Sequence, residues 1–173
     1  MKIRLIFSTL CLTLLALFLN NCSGLPTTTH IYTKNSLNSP PRFIDLVLDK
    51  PAELETMRPE IIIRVKSLFE EKLAEKNIAL DANSPISLKV SFKKYEDGDL
   101  GARVITGLIL GITAGELAKI EAEVIILNKK EAKEIVRADV AVRSSRSGWN
   151  FSYGYSGAKG LEKEFIKKVI DLI

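Results

Sequence analysis

Ile86-Ser87-Leu88-Lys89-Val90-Ser91-Phe92-Lys93 alternates apolar and polar residues without a break. Successive side chains of a strand point to opposite faces, so this stretch reads as a strand with one buried face and one wet face. Two later stretches repeat the pattern. Ala118, Ile120, Ala122, Val124 and Ile126 alternate with Lys119, Glu121 and Glu123, and Val136, Ala138, Val140 and Val142 alternate with Arg137, Asp139 and Arg143. The link between them, Asn128 to Glu134, is short and charged, which predicts an antiparallel hairpin. Upstream, Phe43-Ile44-Asp45-Leu46-Val47-Leu48 is a further candidate strand, ended by Asp49-Lys50-Pro51.

Between and after these strands the period changes. Ile62, Val65, Phe69 and Leu73 recur at helical spacing, with Glu70, Glu71, Lys72, Glu75 and Lys76 on the opposite side. This predicts a helix from Pro59, which suits a first helical turn, to about Lys76, with Asn77 as its terminator. From Gly157, the stripe Leu161, Phe165, Val169 and Leu172, widened by Ile166, Ile170 and Ile173, predicts a closing helix over one face of the sheet. Glu162 and Glu164 stand early in it and Lys167 and Lys168 late, the arrangement that complements the helix dipole. Strands and helices do not alternate strictly. The expected fold is therefore α+β, a largely antiparallel sheet of about four strands packed by two helices.

The chain has 173 residues, 46% hydrophobic and 27% charged, which excludes a disordered or collagen-like polymer. Two Cys and one His leave little for a disulfide-dense scaffold or a zinc site. The formal net charge is +4, of which Lys2 and Arg4 at the extreme amino terminus supply two, so the balance is no argument for nucleic acid. His30 stands among Ser, Thr, Asn and Pro, away from any nucleophile, and no phosphate-binding or dinucleotide fingerprint is present. This inventory argues against an enzyme, and no cofactor or metal is expected.

Lys2 and Arg4 precede an apolar run from Leu5 to Leu19, the layout of a secretory signal and too short for a comfortable membrane span. Leu19-Asn20-Asn21-Cys22 comes next. It resembles the lipobox of bacterial lipoproteins, with Asn21 where Gly, Ala or Ser is usual. The resemblance implies loss of residues 1–21, a diacylglycerol thioether and N-acylation at Cys22, and a membrane partner held through those acyl chains. Ser23, rather than the Asp that retains many lipoproteins in the inner membrane, implies the periplasmic side of the outer membrane. With Cys11 lost in the signal, the mature chain would carry no thiol. Residues 22–42 read as the lipidated Cys22 and a flexible tether rich in Thr, Asn and Pro, and residues 43–173 as a single α+β domain.

Two stretches stand outside the periodic pattern. The first runs from Tyr95 through Glu96, Asp97, Gly98, Asp99 and Arg103 into an apolar insert in which Gly107, Gly111 and Gly115 are spaced by four. Such spacing lets helices approach closely and could drive oligomer or membrane contact, while a tight apolar turn packed on the sheet is the plainer reading. Arg103 could clamp a nearby carboxylate or meet a phosphate. The acidic residues lack the further ligands of a calcium loop. The second stretch sets Arg143 and Arg146 before Trp149, Phe151, Tyr153 and Tyr155. Alternate aromatics beside basic groups suit a glycan or a membrane interface, or they close the core beneath the last helix. Gly98-Asp99, Arg103, Gly107 and Gly111 followed by an alternating strand resemble a family of bacterial envelope lipoproteins in the domain-of-unknown-function class. That resemblance implies an envelope location and no assigned chemistry. The expected function is a lipid-anchored, non-enzymatic binding or accessory module of unassigned ligand, with an envelope protein or another copy of itself as partner. The alternative is a self-assembling subunit that uses the glycine-spaced insert.

Overall fold

The central alternation becomes the middle of a sheet. A computed structural model describes residues 27–35, 39–96, 118–143 and 157–173. The elements are β1 (Thr27–Lys34), β2 (Phe43–Asp49), α1 (Pro59–Glu75), β3 (Ala79–Leu80), β4 (Ile86–Glu96), β5 (Lys119–Asn128), β6 (Lys133–Arg143) and α2 (Gly157–Ile170). The strands form a six-stranded sheet in the order β1-β6-β5-β4-β2-β3. From β4 through β5 and β6 to β1 the pairs are antiparallel, whereas β2 runs parallel to both β4 and β3.

Two expectations change here. The sheet is mixed, because the connection from β2 to β4 passes through α1, and a helical crossover returns the chain in the same direction. It also has six strands rather than four. β3 is two residues long, too short to show any period. β1 falls inside the stretch read as a tether. Its sequence, Thr-Thr-Thr-His-Ile-Tyr-Thr-Lys, is polar but rich in β-branched and aromatic residues, and an edge strand exposed on one side needs little apolar content to pair.

Both helices share one face of the sheet. Leu88, Val90 and Phe92 of β4, the alternate residues Ile120 to Ile126 of β5 and Val136 to Val142 of β6 meet Phe69 and Leu73 of α1 and Leu161 and Phe165 of α2 in one core. The Phe92 and Phe165 rings lie tilted with centroids 5.8 Å apart. On the opposite face the charges pair across strands. Lys93 reaches Asp139 at 2.6 Å and Lys89 reaches Asp49 at 3.2 Å. The Lys93 hydrogen bond holds the Asp139 carboxyl below its ordinary range. The Tyr32 hydroxyl donates to the same carboxylate at 2.7 Å.

A shift in the β4–β5 register between Phe92 and Lys94 re-aims the end of β4. The extra residue carries Lys93 and Lys94 past the alternation, so Tyr95 turns into the core, where it is 1% exposed.

α1 ends where expected. Asn77 adopts φ 59°, its amide donates to the Ala74 carbonyl at 2.9 Å, and the amide of Ile78 donates to Leu73 at 3.0 Å. This pair of bonds satisfies carbonyls that the last turn leaves free. Asn tolerates the left-handed conformation, whereas a β-branched side chain clashes there. Asn77→Val is therefore expected to lower unfolding stability by about 1–2 kcal/mol, and Asn77→Gly to match or exceed the parent, both read from urea midpoints.

Candidate functional site

The register brings several chain ends to one end of the sheet. Glu96, the last residue of β4, pairs with Lys119, the first of β5, and Lys119 pairs with Arg143, the last of β6. Thr27, the first residue of β1, pairs with Val142 beside them. The starts of α1 and α2 lie at this end as well, because Arg64 and Glu162, each in the early part of its helix, both meet Tyr95.

These three side chains form the one buried charged cluster among the described residues. Glu162 is 1% exposed. Arg64 grips it with two nitrogens, Nη2 at 2.6 Å from Oε1 and Nε at 2.9 Å from Oε2. The Tyr95 hydroxyl donates to Oε1 at 2.6 Å. Thr56 donates to the Tyr95 carbonyl at 2.6 Å, which ties the segment before α1 to the end of β4. The hydrogen bond to Glu162 raises the Arg64 pKa, and burial, followed by the bond to Glu162, pushes the Tyr95 phenol up.

Both Glu162 carboxylate oxygens accept hydrogen bonds, and Arg64 Nη2 also donates to the Tyr95 hydroxyl at 3.3 Å. The arrangement braces α1, β4 and α2 against one another. Beside it opens a cleft of about 560 Å³ lined by Glu55, Thr56, Arg58, Glu60, Ile61, Arg64, Tyr95 and Lys159. Among the described residues no three His, Cys, Asp or Glu side chains are grouped to hold a metal ion. No helix among them is long and apolar enough to cross a membrane.

Of the residues singled out from the sequence, Arg143 is described. It ends β6, half-exposed, with Nη2 at 3.8 Å from Glu121 Oε1. Cys22, Arg103, Gly107, Gly111, Gly115, Arg146, Trp149, Phe151, Tyr153 and Tyr155 lie outside the described residues. His30 stacks on Tyr32 at 5.5 Å on the exposed side of β1. The cluster itself escaped sequence reasoning, which assigned Glu162 to the helix dipole. Its signal was the spacing of Glu162 to Phe165, Ile166 and Val169, which sets it on the apolar stripe of α2.

Removing the guanidinium leaves a buried carboxylate without its counter-charge. Arg64→Ala is expected to cost about 3 kcal/mol, the low end for a broken buried pair because a third of the Arg64 side chain meets solvent. Tyr95→Phe is expected to cost about 1 kcal/mol near neutral pH. The two proteins should then converge as pH rises. A raised phenol pKa contributes stability that is complete below the ordinary tyrosine value of 10.0 and drains above it, where the unfolded chain ionises first. Urea midpoints of the parent and Tyr95→Phe at pH 8 and pH 11 measure this narrowing.

No family model and no curated protein matches the chain. Solved structures do. A single-substitution variant of the PelC dodecamer from Paraburkholderia phytofirmans and the PelC dodecamer itself superpose with TM-scores of 0.56 and 0.55 at 10% identity, each covering 85% of this chain and 96% of PelC. Protein XCC0632 from Xanthomonas campestris, of the DUF330 family, superposes at 0.50 with 10% identity, covering 79% of this chain and 88% of its own. The likeness is one of fold, and it is shared with a protein of a domain-of-unknown-function family.

Proposed function

We propose that this chain is a lipid-anchored protein of the bacterial cell envelope, on the periplasmic side of the outer membrane, that acts without catalysis by associating with copies of itself. The observation that carries the reading is the position of β1. With Thr27 already paired in the sheet, the chain from Cys22 has five peptide steps to cover, a reach on the order of 17 Å. Acyl chains on Cys22 would hold this end of the sheet close to the lipid surface, and two or three such chains anchor stably where one does not. The apolar insert with Gly107, Gly111 and Gly115 leaves β4 and enters β5 at this same end, and the stretch from Arg146 to Tyr155 leaves β6 there. Apolar, aromatic and basic sequence is thus attached on the side that the anchor would draw to the membrane. The PelC proteins that share the fold are dodecamers, which supports self-association as the mode of action.

A second reading, a monomeric accessory module, is favoured by the cleft beside Arg58 and Lys159, whose charged lining suits a polar ligand or an envelope protein. The mass of the detergent-extracted full-length protein separates the two, since the first requires a multimer and the second a monomer. Loss of the multimer in Gly111→Leu would assign the contact to the glycine-spaced insert.

Full-length protein is expected in the membrane fraction, with an intact mass showing loss of residues 1–21 and added acyl groups. Cys22→Ser is expected to move it to the soluble periplasmic fraction. Equal membrane retention of the Ser variant would overturn the anchor.

A further inference from the structure

Five large hydrophobic side chains are exposed among the described residues: Ile31, Tyr32, Phe43, Val47 and Ile63. Four of them stand on two strands near opposite edges of the sheet, Ile31 and Tyr32 on β1 and Phe43 and Val47 on β2. β3 covers only Phe43 and Ile44 of β2. From Asp45 to Asp49, no further strand among the described residues lines the outer side of β2, and none lines the outer side of β1. Bare edges of this kind present unpaired backbone groups that template pairing with another chain.

We propose that β1 of one copy pairs with the free Asp45–Asp49 half of β2 on the next copy, so that a head-to-tail interface continues the sheet from subunit to subunit. The inference rests on the self-association proposed above and names its surface. Strand direction permits it. β2 is parallel to β4, and three antiparallel steps lead from β4 to β1, so β1 and β2 run in opposite senses when two copies meet with their helices on the same side. The join is then an antiparallel ladder.

Both faces of the join match. Ile31 stands in register with buried Ala138 and therefore on the helix side, as do Leu46 and Leu48, which pair with Leu88 and Val90. Tyr32 reaches Asp139 and lies on the open side, where Val47 pairs with Lys89. Apolar groups would thus meet apolar groups above and below the new ladder. β1 carries His30 and Lys34 and no carboxylate, while β2 carries Asp45 and Asp49 and no base. Those carboxylates already engage Lys129 and Lys89 of their own chain, so the charge favours the approach of unlike edges more than it adds a new ion pair. An interface that uses two different surfaces of each copy repeats until it closes into a ring or runs on as a filament.

The test uses two exposed substitutions in the full-length, detergent-extracted protein, Ile31→Lys on one edge and Val47→Lys on the other, with circular dichroism and thermal midpoints to confirm folding. Sedimentation is expected to show a multimer for the parent, complete loss of species above monomer for each variant alone, and a one-to-one dimer when the two variants are mixed, because each retains the edge that the other lacks. A Val47→Lys protein that still dimerises alone would point to β1 meeting β1 and overturn the proposal. A multimer that survives in both variants would overturn it while leaving self-association standing. A parent that is monomeric would overturn both.

Discussion

The carboxylate of Glu162 has no water to turn to. It sits in the core beneath α2, and its charge is tolerable because Arg64 and Tyr95 reach it from two other elements. A buried ion is costly unless it is paired and its lone pairs are filled. The position of α1, the end of β4 and the start of α2 are therefore set jointly. The β4 bulge is part of the same constraint. Without the register shift between Phe92 and Lys94, strict alternation would turn Lys94 inward and Tyr95 out.

Much of this architecture was legible in the sequence. The alternation in β4, β5 and β6 and the stripes of both helices gave the right elements near the right boundaries, because apolar burial on one face imposes its period directly on the chain. Asn77 announced its left-handed turn for the same kind of local reason. What was not legible depends on contacts distant in sequence. The parallel pairing of β2 with β4 is a property of the crossover. The inward turn of Tyr95 depends on a register shift against β5. Glu162 looked like a wet residue because its partner Arg64 is 98 residues away. β1 was hidden by composition, since a strand bordered by solvent is permitted to be polar.

Recognising β1 changes the physical picture at the amino terminus. A stretch that read as a long free leash becomes a paired strand, and the span between Cys22 and the folded body shortens to a few residues. The same strand gives the sheet a second edge that is unlike the first. One edge is threonine-rich with a single lysine, and the other is acidic, partly covered by β3 and apolar on both faces. A sheet with two dissimilar edges is directional in a way that one with two like edges is not.

The pairing of β1 with β6 has a temporal cost. The hydroxyl of Tyr32 and the carboxylate it binds are separated by 107 residues of chain. Pairings of such sequence separation are slow to form, because the loop must close before the contact repays it. Until β6 is in place, the first strand of the sequence has no native neighbour in the sheet. The amino-terminal margin of the sheet thus waits on a strand from the far part of the chain.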